Sequence, residues 1–264
     1  MNEMDKISIV TISYNQCHFL QECICSVLEQ QHEKIEYIVV DPGSTDGSRD
    51  LIKSYGDKIT KTIFEPDDGP ADGLAKGFAQ ATGSIFAYLN ADDRFAPGAF
   101  SFAGNFFSTH HDIDVLCGAI NIIDGKGKAS LRKRTADLFN VRDYAAGICT
   151  VGQQATFFRA DAYRRAGGFN PKNKIIWDGE LLVDLALSGA RFEVENKVLG
   201  DFRIYEESIT GSQRHKKKYD LEMTRLQKKI ADSGVALRTP LRTSLARLTY
   251  KTNFFRHLKY LTAR

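Results

Sequence analysis

The sequence predicts an α/β protein: a mostly parallel, doubly wound sheet with helices on both faces, followed by a basic helical tail. Three observations predict it. Four short runs rich in β-branched and apolar residues fall within the first hundred positions, and each gives way to a stretch with helical apolar spacing. Each run also ends in a polar loop, as at the carboxyl ends of parallel strands, where open α/β sheets bind ligands. Finally, 264 residues suffice for a full core and fit one large α/β domain with an appendage.

Residues 7–12 form the first strand, closed by Ser13, Tyr14 and Asn15. Asn15 is suited to cap a helix in which Phe19, Leu20, Cys23, Ile24, Val27 and Leu28 recur at helical spacing. A second strand at 35–40 leads into Asp41-Pro42-Gly43-Ser44-Thr45-Asp46-Gly47, and Leu51 and Ile52 lie on a short helix before a third strand at 59–64. The loop Glu65-Pro66-Asp67-Asp68-Gly69-Pro70-Ala71-Asp72 precedes a helix carrying Leu74, Phe78 and Ala81, ended by Gly83. A fourth apolar run then delivers Asn90-Ala91-Asp92-Asp93. Right-handed crossovers bring the loops at 13–15, 41–47, 65–72 and 90–93 to one rim, within reach of a single ligand.

The second half is more mixed. A helix at 99–107 is followed by a strand at 115–123 with the hairpin turn Asp124-Gly125-Lys126-Gly127, and a further strand covers 155–159. A helix at 161–166 ends at Gly167-Gly168, another begins near Asp178 with Leu181, Leu182, Leu185 and Leu187, and short strands lie at 192–194 and 198–202. The tail reads as two helices, 219–232 and 241–261. We therefore expect one catalytic domain over 1–213, with halves 1–110 and 111–213, and an extension over 214–264.

From residue 214 onward 14 Lys/Arg face 3 Asp/Glu, leaving 22 against 30 before it, so an acidic body (−8) carries a basic tail (+11). Such a tail suits an anionic membrane surface or an acidic partner, and packing on its own body or on a second copy of the chain is the plainer alternative. No apolar run approaches the roughly 20 residues of a membrane span, and the opening residues lack a signal core. Five cysteines without zinc spacing read as reduced thiols. The expectation is a cytoplasmic protein with peripheral contact at the inner face of the plasma membrane. No nucleic-acid module, Gly-x-Gly-x-x-Gly after a strand, or Gly-rich basic phosphate loop is present.

Asp92 and Asp93 are two adjacent carboxylates at the end of a buried strand. They repel each other and lose hydration, so they need a cation or a hydrogen-bond cage. A divalent metal carrying a phosphate would supply both.

Thr11-Ile12-Ser13-Tyr14-Asn15, the segment Val40 to Gly47, Glu65-Pro66-Asp67-Asp68-Gly69, Asp72 with Lys76-Gly77, and Asn90-Ala91-Asp92-Asp93 together resemble the successive signatures of family 2 inverting glycosyltransferases with the GT-A fold. The resemblance is strong over the first hundred residues and continues weakly to about residue 210. It implies transfer of one sugar from a nucleotide-diphosphate sugar, UDP above others, with Mg²⁺ or Mn²⁺ and inversion at the anomeric carbon. The implied acceptor is a glycan or lipid-linked hydroxyl in bacterial surface polysaccharide synthesis. The resemblance places Thr11, Ser13, Tyr14 and Asn15 around the nucleotide, with Tyr14 beside the base. Asp41, with Gly43 and Ser44, meets a base N–H or ribose hydroxyl, or else serves its own turn. Asp68, Asp72 and Lys76 fall in the segment that lines diphosphate and sugar, while Asn90, Asp92 and Asp93 hold sugar and metal, Asp93 being the more direct ligand.

Ile176-Trp177-Asp178-Gly179-Glu180-Leu181 after Gly167-Gly168-Phe169 resembles the family's acidic motif. It implies Asp178 as the base that deprotonates the acceptor hydroxyl, with Glu180 as second candidate; a helix cap is the alternative role for Asp178. Three positions depart from the family: Trp177 replaces an acid, Asp184 stands where many members carry Arg, and Tyr205 stands where many have a metal-completing His. The processive Gln-x-x-Arg-Trp pattern is absent. A catalytically inactive, nucleotide-sugar-binding scaffold is the competing reading.

Overall fold

In the computed structural model, which describes residues 5–206, 208, 216–239, 243–244 and 247–248, the sheet grows outward from β1 (Ile7–Ile12). This strand lies parallel between β2 (Ile35–Val40) and β4 (Ile85–Asn90), with Ile7 in register with Ile35 and Ile85. Neighbours on both edges and helices on both faces bury every residue but the last, so the run does not alternate apolar with solvent-facing polar residues, and the buried Ser8 and Thr11 hydroxyls are hydrogen-bonded to Glu36 and Tyr37. β3 (Lys61–Ile63) extends the parallel order beyond β2 and is shorter than the 59–64 run suggested.

Alternate residues of β1 serve two cores. Ile9 packs with Leu20, Ile24 and Val27 of α1 (Cys17–Leu28) and with Phe100 and Phe107, whereas Val10 packs with Leu74, Phe78, Phe86 and Phe158. The connections α2 (Ser48–Ser54) and α3 (Pro70–Ala79) complete the crossovers. α1 starts one residue later than an Asn15 cap allows: Asn15 is left-handed (φ 51°), and Gln16 occupies the cap without a side-chain bond.

Beyond β4 come β5 (Arg94–Phe95), α4 (Ala99–Thr109), β6 (Val115–Ile123) and β7 (Ala129–Arg134), then α5 (Val141–Ala145) and a 3₁₀ turn at Gln153–Ala155. β8 (Thr156–Arg159), α6 (Ala160–Arg165), α7 (Trp177–Leu187) and β9 (Phe192–Arg203) follow. The sheet order is β3-β2-β1-β4-β8-β6-β9-β5, with β7 beside β6. β8 inserts antiparallel between β4 and β6, so the parallel first half gives way to the expected mixed second half. The two short strands expected at 192–194 and 198–202 are one strand, kept continuous by register shifts against β6 near Ala119.

The first tail helix, α8 (Lys216–Asp232), buries Leu226 and Ile230 against Phe139, Ala145, Ile176, Leu182 and Val183. Packing on its own body accounts for this helix. The second tail helix expected at 241–261 lies largely outside the described residues. Among the described residues no helix is long and apolar enough to cross a membrane.

Candidate active site

A cavity of about 550 Å³ opens at the carboxyl ends of β1, β2 and β4, the size range of small-ligand sites. Ser13, Tyr14, Asn90 and Asp92 line it, as the rim argument expects, together with Asp67, Trp177 and Tyr205 from other loops. Ser13 Oγ and Asn90 Oδ1 are buried without a protein hydrogen bond. Unpartnered polar atoms at a cavity wall are costly unless a ligand or water meets them.

Two rim loops are laced together. The Asn15 N–H donates to Ser44 Oγ at 2.8 Å, Thr45 N–H donates to Asn15 Oδ1 at 2.9 Å, and Cys17 N–H donates to Asp46 Oδ2 at 2.9 Å. Asp41 Oδ1 accepts from the N–H groups of Gly43 and Ser44 and from Arg49 Nε at 3.1 Å, while its fully buried Oδ2 has no protein partner. Asp41 thus holds its own turn and keeps one oxygen unused. Gly43, at φ +147°, takes a backbone conformation that favours glycine. Asn15, Gly43 and Ser44 build the loops and do not line the cavity. Thr11, one residue before the strand end, faces the opposite core: its hydroxyl accepts from Tyr37 Oη at 3.1 Å. The alternation of a strand removes it from the cavity.

The acidic pair divides its roles. Asp93 is 1% exposed and caged: Gln154 Nε2 donates to Oδ2 at 2.7 Å, Gln153 Nε2 at 3.3 Å, and the Arg203 N–H donates to Oδ1 at 2.8 Å. Burial, together with the Asp92 charge, pushes its carboxyl well above the usual range. Asp92 lines the cavity and accepts from Tyr205 Oη at 3.1 Å. Burial raises its carboxyl too, against the opposing effects of Tyr205 and the Arg203 guanidinium. Arg203, itself fully buried, donates from Nε to the Asp92 carbonyl at 2.7 Å and pairs with Glu22 at 2.7 Å. In this geometry Asp92 faces the cavity, while Asp93, expected as the more direct ligand, faces its protein cage.

In the third loop the wall acid is Asp67 and not Asp68. Asp67 Oδ1 accepts from Gly69 N–H at 2.8 Å, a local turn that points the side chain inward, whereas Asp68 is exposed. Burial raises the Asp67 carboxyl. Asp72 and Lys76 pair with each other at 2.9 Å one helical turn apart, Lys76 Nζ also donates to the Pro66 carbonyl at 2.6 Å, and neither lines the cavity. The Asp-x-Gly spacing of Asp67 and Gly69 was the available signal for the inward acid.

Trp177 and Asp178 open α7. Trp177 lines the cavity; Asp178 is half-buried behind it, beside a small void shared with Tyr88 and Gln153. Burial raises its carboxyl, partly countered by the Gly179 N–H. Glu180 is 1% exposed and bonded to Arg225 at 2.5 Å, Lys229 at 3.1 Å and Asn173 at 2.7 Å. Although burial opposes ionisation, the hydrogen bonds from Arg225, Asn173 and Lys229 prevail and bring it down to about 2. A saturated, ionised carboxylate is a poor proton acceptor, and Glu180, expected as the second candidate base, does not line the cavity.

Among the described residues no cluster of three or more His, Cys, Asp or Glu side chains is arranged for a metal. The described cavity wall nevertheless carries Asp67 and Asp92 and no Lys, Arg or His. An anionic diphosphate here needs a cation between it and those acids, and Asp92 with phosphate and water fits that demand.

Three comparisons bear on this site. The family model described as Glycosyl transferase family 2 matches residues 8–166. An uncharacterized glycosyltransferase of Nostoc sp. is 32% identical over 238 residues, covering 83% of this chain and 73% of that protein. TuaG of Bacillus subtilis, a glycosyltransferase provisionally named for teichuronic acid biosynthesis, is 35% identical over 91 residues, 33% of this chain and 36% of its own. Among solved structures, S. aureus TarS in complex with UDP-GlcNAc has a TM-score of 0.69 at 19% identity, covering 98% of this chain and 76% of that one. The chain spans 37% of another TarS structure. At this identity the likeness concerns the GT-A fold.

Proposed function

The chain belongs to glycosyl transferase family 2, and from that premise we propose that it moves one sugar from a UDP-sugar to a hydroxyl of a glycan or lipid-linked acceptor, with inversion at the anomeric carbon. The observation that carries the proposal is the cavity wall, where Ser13 Oγ and Asn90 Oδ1 sit buried and unpartnered beside Asp92. They are free to meet the hydroxyl and amide groups of a nucleotide sugar. UDP as the nucleotide is supported by the fold shared with TarS, solved with UDP-GlcNAc. A place in bacterial surface polysaccharide synthesis is supported by the likeness to TuaG. The basic tail, +11 from residue 214, suits work at the inner membrane face.

Asp178 takes the acceptor proton. As the acceptor oxygen forms its bond to the anomeric carbon, the C1–O bond to the diphosphate breaks and its electron pair leaves with the phosphate. A raised carboxyl at a helix start is better matched to this proton than an ordinary aspartate. Trp177 lines the donor cavity next to Asp178, which itself borders an adjoining small void with Tyr88 and Gln153, so the acceptor hydroxyl would have to enter at Trp177 to meet both the base and the donor. A divalent ion, Mg²⁺ or Mn²⁺, would be held by Asp92 and the donor phosphates and would neutralise charge on the departing diphosphate.

Trp177 is the chain's single tryptophan and lines the cavity, so its fluorescence reports occupancy. Titration with UDP-GlcNAc, UDP-glucose, GDP-mannose and dTDP-glucose in Mn²⁺, with nucleoside diphosphate release followed in parallel, tests the proposal. Quenching and UDP release with a UDP-sugar are expected. Quenching without release of nucleoside diphosphate from any donor would instead favour the inactive scaffold.

A further inference from the structure

Between α7 and α8 a buried carboxylate, Glu180, meets two partly exposed cations. Glu180 lies two residues after Asp178, and its oxygens receive Arg225 at 2.9 and 2.5 Å and Lys229 at 3.1 Å, both from α8. Lys229 also reaches Asp184 at 2.6 Å. Asp184 stands where the family resemblance expects an arginine, so this face of α7 draws its cations from another helix.

Glu180 Oε2, which receives Arg225, also accepts from Asn173 Nδ2 at 2.7 Å. Asn173 is 1% exposed, and its Oδ1 accepts the N–H groups of Ile175 and Ile176 at 3.0 Å each. Ile176 is the N-cap of α7 and offers no side-chain cap of its own. Asn173 therefore does from the preceding loop what a cap residue does locally, fixing the backbone that presents Trp177 and Asp178. Leu226 and Ile230, each the residue next after one of the cations, are fully buried in a cluster with Ile176 and Leu182 and set the register of the clamp.

We propose that α8 is a positioning element for the acceptor side of the site: Arg225 and Lys229 hold Glu180, Glu180 holds Asn173, and Asn173 sets the start of α7 that carries Asp178. The proposal rests on the reading of Asp178 as base. None of the four residues touches the donor cavity. They act through Asp178, and a buried carboxylate tied to two cations resists sliding because any displacement leaves a charge unpaired.

The test uses the full chain with Arg225→Ala, Arg225→Lys and Asn173→Ala. In the absence of ligand, acrylamide quenching of Trp177 is expected to rise roughly twofold in both alanine variants as the start of α7 loosens. UDP release from UDP-GlcNAc is expected to fall in kcat by about 10- to 100-fold, the loss typical of a mispositioned group. UDP binding in Mn²⁺ and the donor KM stay near wild type, and Arg225→Lys restores most of the rate by keeping the charge.

Unchanged Trp177 quenching and kcat in both alanine variants overturn the proposal. So does a parallel fall of kcat, UDP binding and melting temperature, which describes a helix that only holds the fold together. If Arg225→Ala does not fold, Asn173→Ala decides, since it leaves the ion pair intact. Asp178→Asn separates the two readings. If it retains turnover, the base assignment fails whatever α8 does. If it abolishes turnover while Arg225→Ala and Asn173→Ala behave as wild type, the positioning role fails alone.

Discussion

Tyr205 donates its phenolic hydrogen bond to Asp92 at 3.1 Å and packs its ring against Phe19, with centroids 4.9 Å apart. The phenol occupies the position from which the resemblance expects a histidine to complete a metal site. Burial and the Asp92 charge push Tyr205 up to about 12, so the phenol stays protonated and donates. Replacing a donor by a metal-ligating imidazole is expected to strengthen metal binding. Tyr205→His should lower the Mn²⁺ concentration for half-maximal UDP binding by roughly tenfold. An unchanged Mn²⁺ dependence would show that the ion does not lie within reach of position 205.

Asp92→Asn and Asp93→Ala should fail in different ways. Asp92→Asn is expected to keep the melting temperature and lose the Mn²⁺ requirement of UDP binding. Asp93→Ala strands Gln153, Gln154 and the Arg203 N–H without their acceptor. It should cost about 2 to 4 kcal/mol of stability through buried donors left unmade. Urea denaturation alongside UDP titration separates the two.

Asp178→Asn should reduce sugar transfer by at least about 1,000-fold while UDP binding changes little, because the amide cannot accept the hydroxyl proton. Single-turnover measurement beside the Trp177 titration checks this. Transfer near the wild-type rate would require another base.

The clamp also predicts a pH dependence of stability. Glu180 is held down to about 2 from 4.5. A depressed carboxyl contributes stability that is complete above the unfolded value and is lost as pH falls from about 4.5 through 2. Glu180 is nearly fully buried, and the difference corresponds to on the order of 3 kcal/mol. Urea midpoints of wild type and Glu180→Gln should differ most at neutral pH and converge as the solution approaches pH 2. A gap that persists at pH 2 would mean that packing, and not ionisation, carries the effect.

The parallel first half was legible because its strands are buried on both faces and their loops must share a rim. Ser13, Tyr14, Asn90 and Asp92 could therefore be placed at the cavity from strand ends alone. Thr11 could not, since one step of alternation turns its hydroxyl to Tyr37. Asp67 and Asp68 are adjacent in sequence, and only the turn closed on Gly69 N–H decides which points inward.

By itself the sequence determined the fold class, the rim on which a ligand must sit and the acidic character of that rim, since periodicity and strand order are local properties. The tertiary structure decided how the acids are used. Asp93 receives Gln153, Gln154 and Arg203 from segments 60 to 110 residues away, and Glu180 receives cations 45 and 49 residues downstream. A carboxylate's role depends on which charges and donors folding brings to it, and those partners have no fixed spacing in the chain.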